Sequence, residues 1–424
     1  MNAASRSASF SVANQHALAT ILEASQTKSI IASRDIFDIT GIKLWARDQP
    51  VSSALQRRLL DRQLRNPLES CLLAEDGVSA YTLVQAAEGL LERHTALTAL
   101  LKPHAARIVK EAAQLPLHPV TQLLLTAGQA SRPESFDHAV QAMALCGALM
   151  DKQGGSTAEM RMALLCGLLH DLGEMYIDPR YGEADADRQL DFLSYQQLVV
   201  HPHVGHLLIA QLTNYPGSLS RAIAEHHERL DGSGYPHGLQ RDAVSPLGRM
   251  LAVAEATLGV LRTRTGERET LQRASVALRV VPGEFDLNWV GVVDAAARAE
   301  PPCRAALGTS EVQSRLERLE TALQTAQVTA DALAPQSESP PLRNAVSLAQ
   351  HLLGRLRLGW NASGLWSADA VSARDAAEVE AIEDELLFRL RAIERAAQLR
   401  AGELGPGDAS RLEQLGAALR AVGC

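Results

Sequence analysis

Between Ala80 and about Arg298 apolar residues recur three and four positions apart in serial stretches broken by Pro and Gly, the mark of consecutive amphipathic helices. Val140, Met143, Gly147 and Met150 form one stripe, and Met160, Leu164 and Leu168 another. Ser245-Pro246 ahead of Leu247–Glu255 joins an N-cap residue to a proline at the first helical position, which predicts a helix start. Upstream, a short helix is expected around Ala17–Ser25. Asp35–Trp45 then alternates around Gly41 like a small hairpin, and Leu55, Leu59, Leu60 and Leu64 give Val51–Arg65 helical spacing. These features predict a small α+β module over residues 30–80, without a catalytic constellation and so with a docking or regulatory role. Past Pro301-Pro302 the pattern predicts a polar helix at Glu311–Leu333, a linker at Pro335–Pro341 and a charged helix at Asp375–Glu403. Together they suggest a helical hairpin or bundle with solvated charged faces.

Composition narrows the class. The 424 residues imply two or three domains at roughly 100–200 residues each. The shifts in pattern divide them into 1–125, a central helical domain at 126–300 and a helical extension at 301–424. Hydrophobic residues at 46% and charged ones at 21% are globular proportions. The expected fold class is mainly α. A net charge of −8 argues against a nucleic-acid polymer as partner. The longest apolar runs, such as Met162–Leu169, fall short of the ~18 residues that span a bilayer. Arg6 is followed by no apolar core of a signal segment, so a cytoplasmic protein without a membrane span is expected. Cys71, Cys146, Cys166, Cys303 and Cys424 lack paired spacing and read as reduced thiols, mostly core filler.

The histidines are not evenly spread. Eight of the thirteen (His138, His170, His201, His203, His206, His226, His227 and His237) lie within one hundred residues, and imidazole is a favoured ligand of transition metals. Glu134 and His138 are four apart and can share a helix face. His170-Asp171 ends a buried-looking helix, His201-Pro202 opens another, and His226-His227 ends a third. Glu255 lies on the helix that Ser245 caps. Any one of these reads as an ordinary core, capping or surface residue. Several imidazoles and carboxylates gathered in one helical domain need a cation, because unpaired buried polar groups are costly. Nitrogen and oxygen donors suit iron, manganese or zinc. Two metals sharing an aspartate are suited to activating water for in-line attack on a phosphate ester.

At His170-Asp171-Leu-Gly173, His201-Pro202 and the run His226-His227-Glu228-Arg-Leu-Asp231-Gly-Ser-Gly234-Tyr235-Pro236-His-Gly238-Leu239, the chain resembles the HD-GYP family, a subgroup of the HD phosphohydrolases. The resemblance covers residues 130–295, Phe285-Asp286 included. It implies a helical HD core and hydrolysis of the bacterial second messenger cyclic di-GMP. Two or three divalent metals, iron or manganese, would be held by Glu134, His138, His170, Asp171, His201, His226, His227 and Glu255. Asp171 would be the bridging carboxylate, and Asp171 and His170 the catalytic pair. Gly232, Gly234, Tyr235 and Pro236 resemble the loop beside the substrate, and Arg249 resembles an arginine at the phosphate site. That loop and the flanking regions would be the surfaces for GGDEF-type or other signalling proteins.

Three positions depart from the family pattern. Glu174 stands where lysine is usual, reversing a local charge, and reads as an extra metal ligand, a salt-bridge partner outside the site, or a group that repels phosphate. Glu255 replaces aspartate, one methylene longer. The stretch Ala256–Arg264 lacks the usual Asp-Ala and Arg-Pro-Tyr signature. The expected activity is cleavage of cyclic di-GMP to linear pGpG, with GMP as a further product. The departures motivate an alternative, a degenerate family member acting as a cyclic-dinucleotide receptor or protein-interaction module. A hydrolase of another nucleotide is the third reading.

Overall fold

The computed structural model describes residues 10–181, 192–263, 270–301, 308–367 and 376–420; Arg6, Arg264, Pro302, Cys303, Asp375 and Cys424 lie outside the described residues. Helix α1 (Gln15–Ala24) is capped by Asn14, whose side chain accepts from the backbone of His16 and Ala17. Strand β1 (Ile30–Ala32) pairs antiparallel with β4 (Leu72–Ala74), with Ile30 opposite Ala74. The expected hairpin forms from β2 (Ile36–Phe37) and β3 (Lys43–Trp45), and Gly41 turns it at φ +91°. Helix α2 (Ser53–Leu59) is shorter than the leucine spacing suggested. Leu60 leaves helical geometry, Asp61 takes a left-handed conformation, and Leu64 bridges to Asp38 instead of continuing the helix.

From there the chain is helical: α3 (Ala80–Glu92), α4 (Ala96–Leu101), α5 (Ala105–Ala112), α6 (Pro119–Ser131), α7 (Pro133–Lys152), α8 (Thr157–Leu169), α9 (Phe192–Leu198), α10 (His201–Leu212), α11 (Gly217–Glu225) and α12 (Pro246–Thr263). Beyond these come α13 (Leu271–Arg279), α14 (Leu287–Ala297), α15 (Thr309–Leu333), α16 (Pro340–Ser363), α17 (Ala376–Ala401) and α18 (Pro406–Arg420). The expected Pro335–Pro341 linker narrows, because a 3-10 turn follows α15 and Ser339 already caps α16. Among the described residues, no helix is long and apolar enough to cross a membrane.

The chain divides into two units. The first takes in residues 10–181, 197–227 and 245–255. Its centre is the pair α7 and α8, with Met143, Leu145, Leu164 and Leu168 buried between neighbouring helices. Helix α8 starts at a capping box between Ser156 and Glu159 and is buried throughout from Ala163 onward, where it runs through the core. The α7–α8 approach depends on a missing side chain. A Cβ on Gly167 would stand 2.3 Å from the carbonyl oxygen of Ala142. Cys71, Cys146 and Cys166 are free and buried, and burial pushes the Cys166 thiol up to about 12.

The second unit takes in residues 192–196 and 228–244 and the chain from 256 onward. Helices α15, α16, α17 and α18 pack around Leu319, Leu342, Leu353, Leu386 and Leu415. Among the described residues, a buried guanidinium here is matched by carboxylates. The Arg273 guanidinium meets Glu380 at 2.8 Å and Asp384 at 3.0 Å, joining α13 to α17.

Gly167→Ala should lower unfolding stability by about 1–3 kcal/mol through overpacking of backbone against backbone. Urea unfolding followed by far-UV circular dichroism measures this. An unchanged midpoint would mean that α7 and α8 can separate without cost.

Candidate metal centre

The site is built where helices end. A helix leaves its last carbonyls without intrahelical partners, and three histidines use those carbonyls. His170 follows the last residue of α8, and its Nδ1 donates to the Gly167 carbonyl at 2.7 Å. His226 follows α11 and donates to Ile223 at 2.6 Å. His201 opens α10 and donates to Leu198, the last residue of α9, at 2.8 Å. A carbonyl only accepts, so in each neutral ring the proton sits on Nδ1 and the Nε2 lone pair points the other way.

Those Nε2 atoms converge. His201 Nε2 lies 3.1 Å from His226 Nε2, and His138 Nε2 lies 3.2 Å from His170 Nε2. His201 and His226 both present lone pairs across that gap, an arrangement a shared cation satisfies. Asp171 stands between the two pairs, one oxygen to each. Its Oδ2 is 3.0 Å from His170 and 3.4 Å from His138, while its Oδ1 is 3.4 Å from both His201 and His226. Oδ1 is buried and has no hydrogen-bond donor among the described residues. His227 completes the second group, its ring 4.1 Å from that of His226. Two sets of candidate ligands result: His138, His170 and Asp171, and Asp171, His201, His226 and His227. Imidazole nitrogens and a carboxylate, with three Nδ1 atoms anchored on backbone carbonyls, fit a divalent transition metal.

Charge is uneven across the centre. Burial disfavours an imidazolium at His170, but the Asp171 and Glu255 carboxylates outweigh it and raise its pKa well above the ordinary value. Burial, reinforced by His227, pushes His226 down to about 3. Burial would raise the Asp171 carboxyl, yet His170 and the other surrounding imidazoles pull it well below the usual carboxylate range.

The other sequence candidates divide. Glu255, buried on α12, reaches the first group: its Oε2 lies 3.1 Å from His138 Nε2 and 3.2 Å from His170 Nε2. The longer side chain therefore still delivers a carboxylate. Glu134 is exposed on the first turn of α7 and belongs to neither candidate set among the described residues. Glu174 is buried but likewise outside both sets. Arg132 donates to its carbonyl at 3.2 Å, and the two side-chain charges interact. Arg249 is half-buried on the first turn of α12. Gly173 has a packing role: a Cβ there would stand 2.0 Å from the His201 carbonyl, so the turn after Asp171 lies directly on the start of α10.

The second unit holds the loop that contains Gly232, Gly234, Tyr235 and Pro236. Sequence reading gave no role to Glu228, which organises this loop. Fully buried, it accepts from the backbone N–H of His237 at 2.7 Å and of Leu239 at 2.8 Å. Asp231 accepts from the Ser233 backbone and hydroxyl, and Gly232 turns at φ +85°. A carboxylate directly after His226-His227, ahead of several Gly residues, was the available signal.

A family profile described as HD domain matches residues 96–280. The cyclic di-GMP phosphodiesterase PA4108 of Pseudomonas aeruginosa is 32% identical over 154 residues, 36% of each chain. The 3'3'-cGAMP-specific phosphodiesterase 1 of Vibrio cholerae is 29% identical over 146 residues, 34% of this chain and 33% of its own. The cyclic di-GMP phosphodiesterase response regulator RpfG of Xanthomonas campestris is 29% identical over 134 residues, 31% of this chain and 35% of its own. The chain thus spans about a third of the length of these curated relatives. The helical core with its His-Asp centre is an HD domain. Within that match, the His-His-Glu run and the Gly-Tyr-Pro loop resemble the HD-GYP family.

Manganese(II) should raise the melting temperature of metal-stripped protein, since a ligand that binds only the folded state at 100 times its Kd adds about 2.7 kcal/mol. The double variant His201→Ala, His226→Ala should keep its helical spectrum and lose most of that shift. An equal shift in the variant would place the cation elsewhere.

Proposed function

We propose that the chain is a metal-dependent cyclic dinucleotide phosphodiesterase that cleaves cyclic di-GMP to linear pGpG, with GMP as a further product. The observation that carries this reading is the single Asp171 carboxylate shared, one oxygen each, between two groups of inward-facing imidazoles. Two divalent cations, iron or manganese, match the two groups. Held by His138, His170, Asp171, His201, His226 and His227, such ions would supply Lewis-acid polarisation of a phosphoryl oxygen and a water of lowered pKa. The protein's own part is orientation. Backbone carbonyls fix the tautomers of His170, His201 and His226, and Asp171 ties the two groups at one distance.

Arg249 and the loop residues Gly232, Gly234, Tyr235 and Pro236 are assigned to binding the dinucleotide. The named relatives act on cyclic di-GMP or on 3'3'-cGAMP, which supports a cyclic dinucleotide as the substrate class. The receptor alternative rested on Glu174, Glu255 and the altered stretch Ala256–Arg264. Its first two grounds weaken, because Glu255 reaches both imidazoles and the Glu174 charge interacts with that of Arg132.

Purified protein loaded with iron or manganese without oxygen should release pGpG from cyclic di-GMP, resolved by chromatography against a 3'3'-cGAMP control. Asp171→Asn should lower kcat/KM by about a thousandfold or more, with the fold retained. Unchanged turnover in that variant would overturn the assignment. Tight dinucleotide binding without product from fully metallated wild type would establish the receptor reading in its place.

A further inference from the structure

Within the second unit, four side chains of the helices beyond residue 300 reach the Gly-Tyr-Pro loop, two directly and two through one intervening residue. On α16, His351 Nε2 donates to the Asp231 carbonyl at 2.9 Å. On α17, the Arg400 guanidinium packs over Gly238. A Cβ there would stand 2.5 Å from Arg400 Nη2, and Gly238 itself has φ +63°. Arg395 lies over the Tyr195 ring, 5.1 Å from its centroid, and Tyr195 meets Tyr235 edge to face at 5.9 Å. Deeper in, Arg389 donates to the Glu284 carboxylate at 2.8 Å, and the Glu284 backbone carbonyl accepts from the Leu230 N–H at 2.9 Å. Two points of the loop meet the C-terminal helices directly, the Asp231 carbonyl and Gly238, and two meet them through one intervening residue, Leu230 through Glu284 and Tyr235 through Tyr195. The loop in turn begins at the residue that follows His227.

We propose that His351, Arg395 and Arg400 are positioning residues that hold the loop 228–240 in its substrate-binding conformation. The C-terminal helices would then set affinity for the cyclic dinucleotide through the loop. The loop's own bonds leave this work to do. Glu228 and Asp231 close the loop on itself, but internal bonds fix its shape and not its place. The contacts that the C-terminal helices make directly with the loop come from polar side chains. His351 and Arg400 are both exposed helix residues whose polar ends reach the loop. This inference rests on the loop being a substrate element, as proposed above.

The test uses full-length protein carrying His351→Ala with Arg400→Ala, and His351→Gln as the conservative variant, whose amide can donate in place of Nε2. Hydrogen exchange of the amides in 228–240 should accelerate in the double variant and stay near wild type in His351→Gln. In manganese-loaded protein, KM for cyclic di-GMP should rise about tenfold in the double variant, with kcat and metal content unchanged. Unaltered exchange overturns the proposal whatever the catalytic result. So does faster exchange with an unchanged KM, or a fall in kcat together with metal loss. A wild type that turns over no cyclic dinucleotide sinks the proposed activity alone. The exchange of the loop, and direct binding of cyclic di-GMP to the same variants, then still decide the positioning role.

Discussion

Three hydrogen bonds from histidine Nδ1 atoms to carbonyls at helix ends govern the rest of the site. A neutral imidazole has one N–H, and committing it to an acceptor-only carbonyl leaves Nε2 with a lone pair and a fixed direction. The same bond satisfies a carbonyl that the helix end would otherwise leave without a partner. His170, His201 and His226 each do this with the residue three positions earlier. Capping and ligand orientation are thus one interaction. A substitution that disturbs any of these helix ends would turn the ring as well as fray the helix.

The convergence of those ends depends on small residues. Gly167 lets α8 lie on the backbone of α7, and Gly173 lets the turn after Asp171 lie on the His201 carbonyl. Gly205 approaches the same turn from the next turn of α10, close to the Gly173 nitrogen and the His170 carbonyl. Larger residues there would push the helices apart. The Nε2 separations near 3.1 and 3.2 Å would open, and with them the capacity of one carboxylate to serve both groups.

Much of this was legible in the sequence, because its signals were local. Helical spacing gave the mainly α fold, the hairpin around Gly41 was written in alternation, and the clustered histidines marked the centre. What escaped was set by tertiary structure. The end of α2 at Leu59 follows from Leu64 pairing with Asp38, which the leucine spacing cannot report. The exposure of Glu134, four residues from buried His138, reflects where α7 enters the core, and an i, i+4 relation alone does not say how deep a helix face lies. Glu228 was visible as a residue but not as a loop organiser, since its partners His237 and Leu239 are backbone groups with no side-chain signature. The contacts of His351 and Arg400 lie more than one hundred positions from the loop, beyond any pattern of local spacing.

The two acidic departures from the family pattern have different physical meanings. Glu255 changes reach and keeps charge. A flexible side chain on a buried helix takes up one methylene through its rotamer, and the carboxylate arrives within hydrogen-bond range of both imidazoles. Glu174 changes charge, and a buried carboxylate needs a counter-charge or several donors. Arg132, at the junction of α6 and α7, supplies the counter-charge, and its other Nη donates to Thr20 on α1. The reversed charge is therefore answered at the α6–α7 junction, where Arg132 also reaches the first helix. That ties the amino-terminal segment to the turn that carries the shared aspartate. The tie is reinforced where the Asn14 side chain donates to the Tyr176 carbonyl and the Tyr176 hydroxyl to buried Glu69. A lysine at position 174 would face Arg132 as a like charge, whereas the glutamate interacts favourably with it.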